Sequence, residues 1–241
     1  MFYLPTGSEM QQADYDTINR LNIPALTLME KAGEVCVQAM LAEKIDLTTV
    51  LILVGNGNNG GDGLVIARLL LEAGYQVSIL WQGRKEKLSA EAKVNYDRLQ
   101  KYAVPFYEEF PLKSFSLIID TLFGVGLNRP IAGKYHQIIE AANKVKAIKL
   151  AIDIPSGISS ETGLLLGIAF KADYTIAIQN KKLGHLLEDG RYYCGKIITK
   201  EIGISNEILK SNKQVVLGYE KKDYQQLLPL RDRNSNKGSF G

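Results

Sequence analysis

The sequence predicts an α/β fold: a three-layer α/β/α, Rossmann-like sandwich around a mostly parallel central sheet, with two helices ahead of it. Three observations predict this. Short apolar runs alternate repeatedly with segments of helical spacing, the pattern of strands alternating with helices. The runs are nearly continuous in apolar residues, VLILV at 50–54 and LIID at 117–120 among them, which implies strands covered on both faces and hence parallel pairing. The first run also passes directly into a glycine- and asparagine-rich loop, G-N-G-N-N-G-G-D-G at 55–63, and an amphipathic helix follows at once. That is the layout of a phosphate cradle.

The elements follow in order. Two helices come first, about 8–21 and 24–44, the second opened by Pro24 at a favoured first-turn position. Strands are expected near 50–54, 76–81, 117–120, 147–152 and 173–178, with helices at about 61–73, 89–102 and 131–144. A further strand pair is expected around 196–203 and 214–218, and residues 227–241, LLPLRDRNSNKGSFG, read as a polar linker. At 241 residues, 46% hydrophobic and 23% charged, the chain can bury a full core as a single α/β domain.

Composition excludes several classes of function. The net charge of +3, with Lys and Arg spread along the chain, argues against a nucleic-acid partner. No run approaches the roughly 18 apolar residues of a membrane span, and the first ten residues lack a basic segment followed by an apolar core, so neither membrane insertion nor a signal peptide is expected. Cys36 and Cys194 lie far apart outside any C-x-x-C pattern, which suits reduced thiols in the cytoplasm. With His136 and His185 the only histidines, a zinc site is disfavoured.

In open α/β sheets ligands bind beyond the carboxyl ends of the strands, so the residues after each strand carry the chemistry. Gly55, Gly57, Gly60, Gly61 and Gly63 can adopt backbone angles closed to other residues and let a ligand approach the main chain. The helix behind them points free N–H groups and its positive dipole end at an anion. Gly55-x-Gly57-x-x-Gly60 satisfies the dinucleotide fingerprint, but the next strand ends in Trp81-Gln82-Gly83-Arg84-Lys85, with no acid for a ribose. Arg84 and Lys85 meet a 2′-phosphate or are a solvated loop. Asp62 falls in the first helical turn, either stabilising the dipole or facing a ligand.

Asp120 and Asp153 each end a buried strand, where a carboxylate needs a partner or a cation. Asn59, Asp120 and Ser156 supply oxygens suited to an alkali or alkaline-earth ion. Gly124, Gly126 and Gly133 surround Asn128 and Arg129, the latter a phosphate donor or an exposed surface arginine. Pro155 rigidifies D-I-P-S-G at 153–157 and would present Asp153 and Ser156. Ser156 has no His close in sequence and no G-x-S-x-G elbow around it, which argues against a hydrolase triad. His185, in K-K-L-G-H, reads as a surface or capping histidine.

These motifs, in this order, resemble the YjeF N-terminal domain family, the NAD(P)H-hydrate epimerases. The similarity rests on E-M-x-x-x-D at 9–14, L-M-E-K-A-G at 28–33, V-G-N-G-N-N-G-G-D-G at 54–63, I-D-T-L-F-G-V-G-L at 119–127, A-I-D-I-P-S-G at 151–157 and K-L-G-H at 182–185. The resemblance implies a repair enzyme that interconverts the R and S epimers, at C6, of hydrated NADH and NADPH, with the hydrated dinucleotide as substrate and no redox cofactor consumed. Carried over by position, Asn58, Asn59, Gly60, Gly61 and Asp62 contact the hydrate, as do Gly124, Val125, Gly126, Leu127, Asn128, Arg129 and Pro130. Asp153 lies beside the ring as the acid/base, and Asn59, Asp120 and Ser156 match the ligands of one potassium ion per subunit. Val125, Leu127 and Asn128 depart from the aromatic or small residues common in the second loop.

The resemblance also divides the chain into an epimerase-type domain, 1–225, and a stretch, 226–241, whose Lys237, Gly238 and Gly241 match the opening of a ribokinase-like dehydratase domain, so a longer two-activity parent protein is expected. Leu21, Ile23, Leu26, Leu28 and Met29 form either a homodimer face or helix-on-sheet core. Two rival functions remain: a non-catalytic binding or dimerisation scaffold of the same fold, and an NAD(P)-dependent dehydrogenase, which the absent ribose-binding acid disfavours.

Overall fold

A computed structural model describes residues 1–204, 208, 216–220 and 223–224. Its centre is a seven-stranded sheet, β2 (Thr49–Val54), β3 (Gln76–Trp81), β4 (Phe106–Tyr107), β5 (Leu117–Thr121), β6 (Ile148–Ile152), β7 (Tyr174–Ile178) and β8 (Lys196–Lys200), in the order β4-β3-β2-β5-β6-β7-β8. Every neighbouring pair in it is parallel. A short antiparallel pair, β1 (Phe2–Tyr3) with β9 (Leu217–Gly218), lies apart from it.

Among the described residues, the helices with defined bounds are α1 (Gly7–Arg20), α2 (Ala25–Ala42), α3 (Asn58–Glu72), α4 (Ala90–Leu99), α5 (Gly133–Lys144) and the single turn α6 (Gly190–Tyr193). Local chemistry sets several of their starts. Thr6 caps α1 in a reciprocal box with Glu9, and the Ser89 hydroxyl accepts the Ala92 amide at the start of α4. Pro24 occupies the cap of α2 and leaves Ala25 as its first residue.

Alternation along β2 divides the core into two layers. Val50, Ile52 and Val54 pack with Cys36, Met40, Leu64, Ile66 and Leu70 beneath α2 and α3. Leu51 and Leu53 face the other way, towards Ile118, Ile138, Ile139 and Phe170 under α5. No helix among the described residues is long and apolar enough to cross a membrane.

Two expectations are corrected. The segments near 196–203 and 214–218 do not pair with each other: β8 joins the main sheet beside β7, and β9 pairs with β1. Periodicity identifies an extended segment but not the strand it will meet. Helix α3 starts at Asn58, three residues earlier than expected, because Gly60 and Gly61 continue the helix instead of preceding it. The expected linker and domain boundary at 225–226 lie outside the described residues.

Candidate active site

Strand order places the site. From β2 the chain winds one way through β3 to β4 and the other way through β5 to β8, so direction reverses between β2 and β5. A crevice opens there at the carboxyl ends of the strands, the usual place for a ligand in such sheets. It is a cleft of about 820 Å³. The loop after β2, the loop after β5, Asp153 after β6 and helix α1 all contribute to its wall.

Helix α3 aims its N-terminus at this cleft. Gly57 is its cap residue, with no side-chain hydrogen bond, so the first amides are left to solvent or a ligand. The glycines of the loop serve a purpose other than the one expected. None of the five has a positive φ. A Cβ on Gly55 would lie 1.9 Å from the Leu122 carbonyl oxygen, and one on Gly60 would lie 2.0 Å from that of Gly55. Close approach of main chains therefore demands glycine. Only Gly57 has open space around it, with nothing within 4 Å of a Cβ.

Asp120 is fully buried at the end of β5. Its carboxylate accepts the Ser156 amide (2.7 Å), the Ser156 hydroxyl (2.7 Å) and the Leu122 amide (3.1 Å). Burial raises its pKa to about 6 against the opposing pull of these donors. The Ser156 hydroxyl oxygen also accepts the Phe123 amide at 2.9 Å, and the Asn59 amide group donates to the Phe123 carbonyl at 3.0 Å. Asn59 Oδ1 is buried with no partner among the described residues. Asn59, Asp120 and Ser156 are thus drawn together around the Phe123 main chain. An orphaned amide oxygen beside a costly buried carboxylate and a hydroxyl fits a hard, oxygen-seeking cation.

Asp153 follows β6 with a left-handed backbone, φ 66°. Its carboxylate accepts the Lys182 ammonium and the Ile178 amide (3.2 Å). Three other carboxyls line the same cleft: Asp14 from α1, Asp62 from α3 and Glu91 from α4. Burial, then the charges of Asp153 and Asp14, push Asp62 well above the ordinary carboxylate range, with Lys182 opposing. Asp14 is raised by burial, Asp153 and Glu91. Because α3 begins at Asn58, Asp62 lies in the second turn, past the free amides, and the explanation as a helix-start acid falls away.

The other expected site residues divide. Asn58, Asn59, Gly124, Val125, Gly126, Leu127, Asn128 and Arg129 line the cleft. Gly60 and Gly61 are packed away from it, Gly60 on Gly55 and Gly61 on the Met29 side chain, and Pro130 is exposed outside it. Lys85 turns to Asp97 (2.7 Å), while Arg84 and Lys87 stand at the cleft. Leu28 and Met29 are buried and line the cleft, leaving Leu21 exposed.

Sequence reasoning missed three residues. Asp14 carried only a motif position. Lys182 was given no role, yet it is 1% exposed and bonded to Asp153. His185, read as a surface or capping histidine, is fully buried and does cap the turn Leu183–His185: its Nδ1 accepts the Lys182 amide (2.8 Å) and its Nε2–H donates to the Asp153 carbonyl (2.7 Å). Burial, with the Lys182 charge next, lowers its pKa to about 4, so the ring is neutral. The K-L-G-H segment was the available signal.

The model of the family described as YjeF-related protein N-terminus matches residues 25–184. A Lentilactobacillus buchneri protein named NAD(P)H-hydrate epimerase is 43% identical over 201 residues, covering 83% of this chain and 94% of that protein. One of the same name from Limosilactobacillus fermentum is 38% identical over 197 residues, 81% of this chain and 95% of the relative. The crystal structure of yeast ynu0 superposes with a TM-score of 0.74 at 20% identity, over 92% of this chain and 98% of that one, and shares the fold. With the family model matching well over half its length and these relatives spanning nearly all of theirs, the chain belongs to the YjeF-related N-terminal family.

Proposed function

We propose that this protein epimerises hydrated NADH and NADPH at C6 of the nicotinamide ring. One observation carries the proposal: the uncapped N-terminus of α3 and the Asp153 carboxyl face a single cleft, so a ligand with its diphosphate on the amides presents its ring to an acid/base. The names of the relatives supply the reaction.

Epimerisation breaks one bond to C6 and remakes it on the opposite face. In one route the hydroxyl oxygen gains a proton, the C6–O pair leaves with water, and the ring nitrogen shares its lone pair as an iminium; water then adds to the other face and gives up a proton. In the other, the hydroxyl loses its proton as C6 becomes an aldehyde, the C6–N pair passes to nitrogen, and reclosure reverses these movements. Both routes need a proton acceptor and a proton donor. Asp153, paired with Lys182, is the acceptor, and Asp62, shifted toward its protonated form by burial and its acidic neighbours, is the donor. The Asp153 carboxylate favours a cationic iminium. Arg84, Lys87 and Arg129 at the cleft would meet phosphate oxygens.

Asn59, Asp120 and Ser156 would hold a potassium ion, which when bound supplies positive charge that offsets Asp120 and ties the start of α3, the end of β5 and the turn after β6 together. The test follows R-hydrate to S-hydrate by chromatography, in potassium and in choline buffers. Conversion that is faster in potassium is expected. Absence of conversion would overturn the epimerase assignment, and equal rates in both buffers would remove the ion from it.

The empty space at Gly57 allows a second check. Gly57→Ser meets no clash and its backbone (φ −82°, ψ −172°) suits a serine cap. The hydroxyl should stabilise α3 by a few tenths of a kcal/mol, about the difference between serine and glycine caps. It should also raise KM for the hydrate, because it occupies an amide that the diphosphate needs. A lowered KM in the variant would contradict this placement of the diphosphate.

A further inference from the structure

Resting on that assignment, we infer that Lys182 is the positioning residue that keeps Asp153 charged and aimed at the substrate, with His185 fixing the main chain beneath it. A lysine side chain is almost never fully buried unless it is paired. Lys182 is, and its ammonium has two acceptors: the Asp153 carboxylate and the Ile178 carbonyl at 2.7 Å. The first lies after β6 and the second ends β7, so this one cation bridges two adjacent strand ends at the cleft.

The segment around it is built for that placement. The Leu183 amide donates to the Pro5 carbonyl (2.8 Å) and the Gly184 amide to that of Ser160 (3.0 Å), which anchors the turn on both sides. A Cβ on Gly184 would lie 2.1 Å from the Ser159 carbonyl oxygen, so only glycine lets the turn settle there. His185 then reaches the Asp153 carbonyl through Nε2–H while its Nδ1 accepts the Lys182 amide. Asp153 is consequently held twice, at its carboxylate by Lys182 and at its main chain by His185, which maintains a left-handed conformation that strains most residues.

Charge explains why a cation is needed there. The groups whose charges act on or respond to Asp153 are Asp14 on α1, Cys36 on α2, Asp62 on α3, and Lys182 and His185 after β7. Asp14 and Asp62 are acidic, the Cys36 thiol is pushed well above its ordinary range and stays neutral, and His185 is neutral. Lys182 is therefore the cation in direct contact with the Asp153 carboxylate. Without it, the Asp153 carboxylate would lose its ion-pair partner while still facing the Asp14 and Asp62 carboxyls across the cleft.

The experiment compares pH–rate profiles for R-to-S conversion in the parent protein, Lys182→Gln, Lys182→Met and Lys182→Arg, with circular dichroism and thermal melting as checks on folding. In the two neutral variants the acid limb of kcat/KM should move up by about 1–3 pH units, the usual effect of one adjacent opposite charge on an aspartate. Lys182→Arg should bring the limb back towards the parent position. The methionine variant reads the same quantity if glutamine disturbs the fold. A lowered melting temperature with an unmoved acid limb in either folded neutral variant would overturn the inference, leaving Lys182 structural only. An arginine variant displaced as far as the neutral ones would overturn it too. A parent protein with no conversion at all marks failure of the functional assignment instead.

Discussion

Asp153→Asn is expected to bind the hydrate and to lose about 10²–10⁴-fold in kcat, the range typical of removing one positioned acid/base. Asparagine is the informative replacement at this position. It tolerates the left-handed backbone about as well as aspartate does, and its amide oxygen can still accept from Lys182 and from the Ile178 amide. What disappears is the negative charge. Deleting one member of a buried ion pair costs about 3–5 kcal/mol, and because an acceptor survives, the loss of stability should be smaller than that. KM should stay within about threefold of the parent, since in this scheme the acid/base acts on the bond being broken and contributes little to ground-state binding. Single-turnover chromatography of the epimers would measure the step directly, and parent-level turnover in this variant would remove Asp153 from catalysis.

The second large effect belongs to Gly60→Ala. Its Cβ would lie 2.0 Å from the Gly55 carbonyl oxygen and 2.7 Å from the carbonyl carbon. Neither atom can swing aside as a side chain would. Gly55 is itself confined: its amide donates to Thr121 (3.2 Å), and the Leu122 carbonyl presses on its open side. Ordinary overpacking costs about 1–3 kcal/mol; here the clash joins the end of β2 to the first turn of α3, so the loss should reach or exceed the top of that range. The urea midpoint should fall, and hydrate binding should fall with it because the cradle is displaced. An unchanged midpoint would show that the β2–α3 junction is looser than these distances imply.

The sequence disclosed the layered α/β fold and the loops that bear the chemistry, because apolar runs and glycine clusters are local signals. Asn59, Asp120 and Ser156, separate in the chain, do converge, and the strand-end rule explains why: β2, β5 and β6 are neighbours in the sheet. Other features depended on partners that no local pattern names. Gly55 and Gly60 were understood through backbone freedom, whereas the contacts that exclude a side chain come from Leu122 and from Gly55 itself. Asp62 belonged one turn deeper, since Gly60 and Gly61 run on as helix. His185 and Lys182 resemble surface residues in isolation; their burial follows from a turn anchored to Pro5 and Ser160, distant in the chain. Which of β8 and β9 joins the main sheet is likewise a question of pairing, to which hydrophobic periodicity is blind.

Uniformly parallel pairing has a kinetic corollary. No neighbouring strands of the large sheet can zip from a tight hairpin, so each contact must wait for an intervening crossover to be closed. The cleft lies across the β2–β5 seam, where Val50 meets Leu117, and such distant pairings form slowly. During refolding, ligand competence should emerge late and together with the bulk of the molecule, and an amino-terminal fragment ending before β5 would lack the pocket altogether.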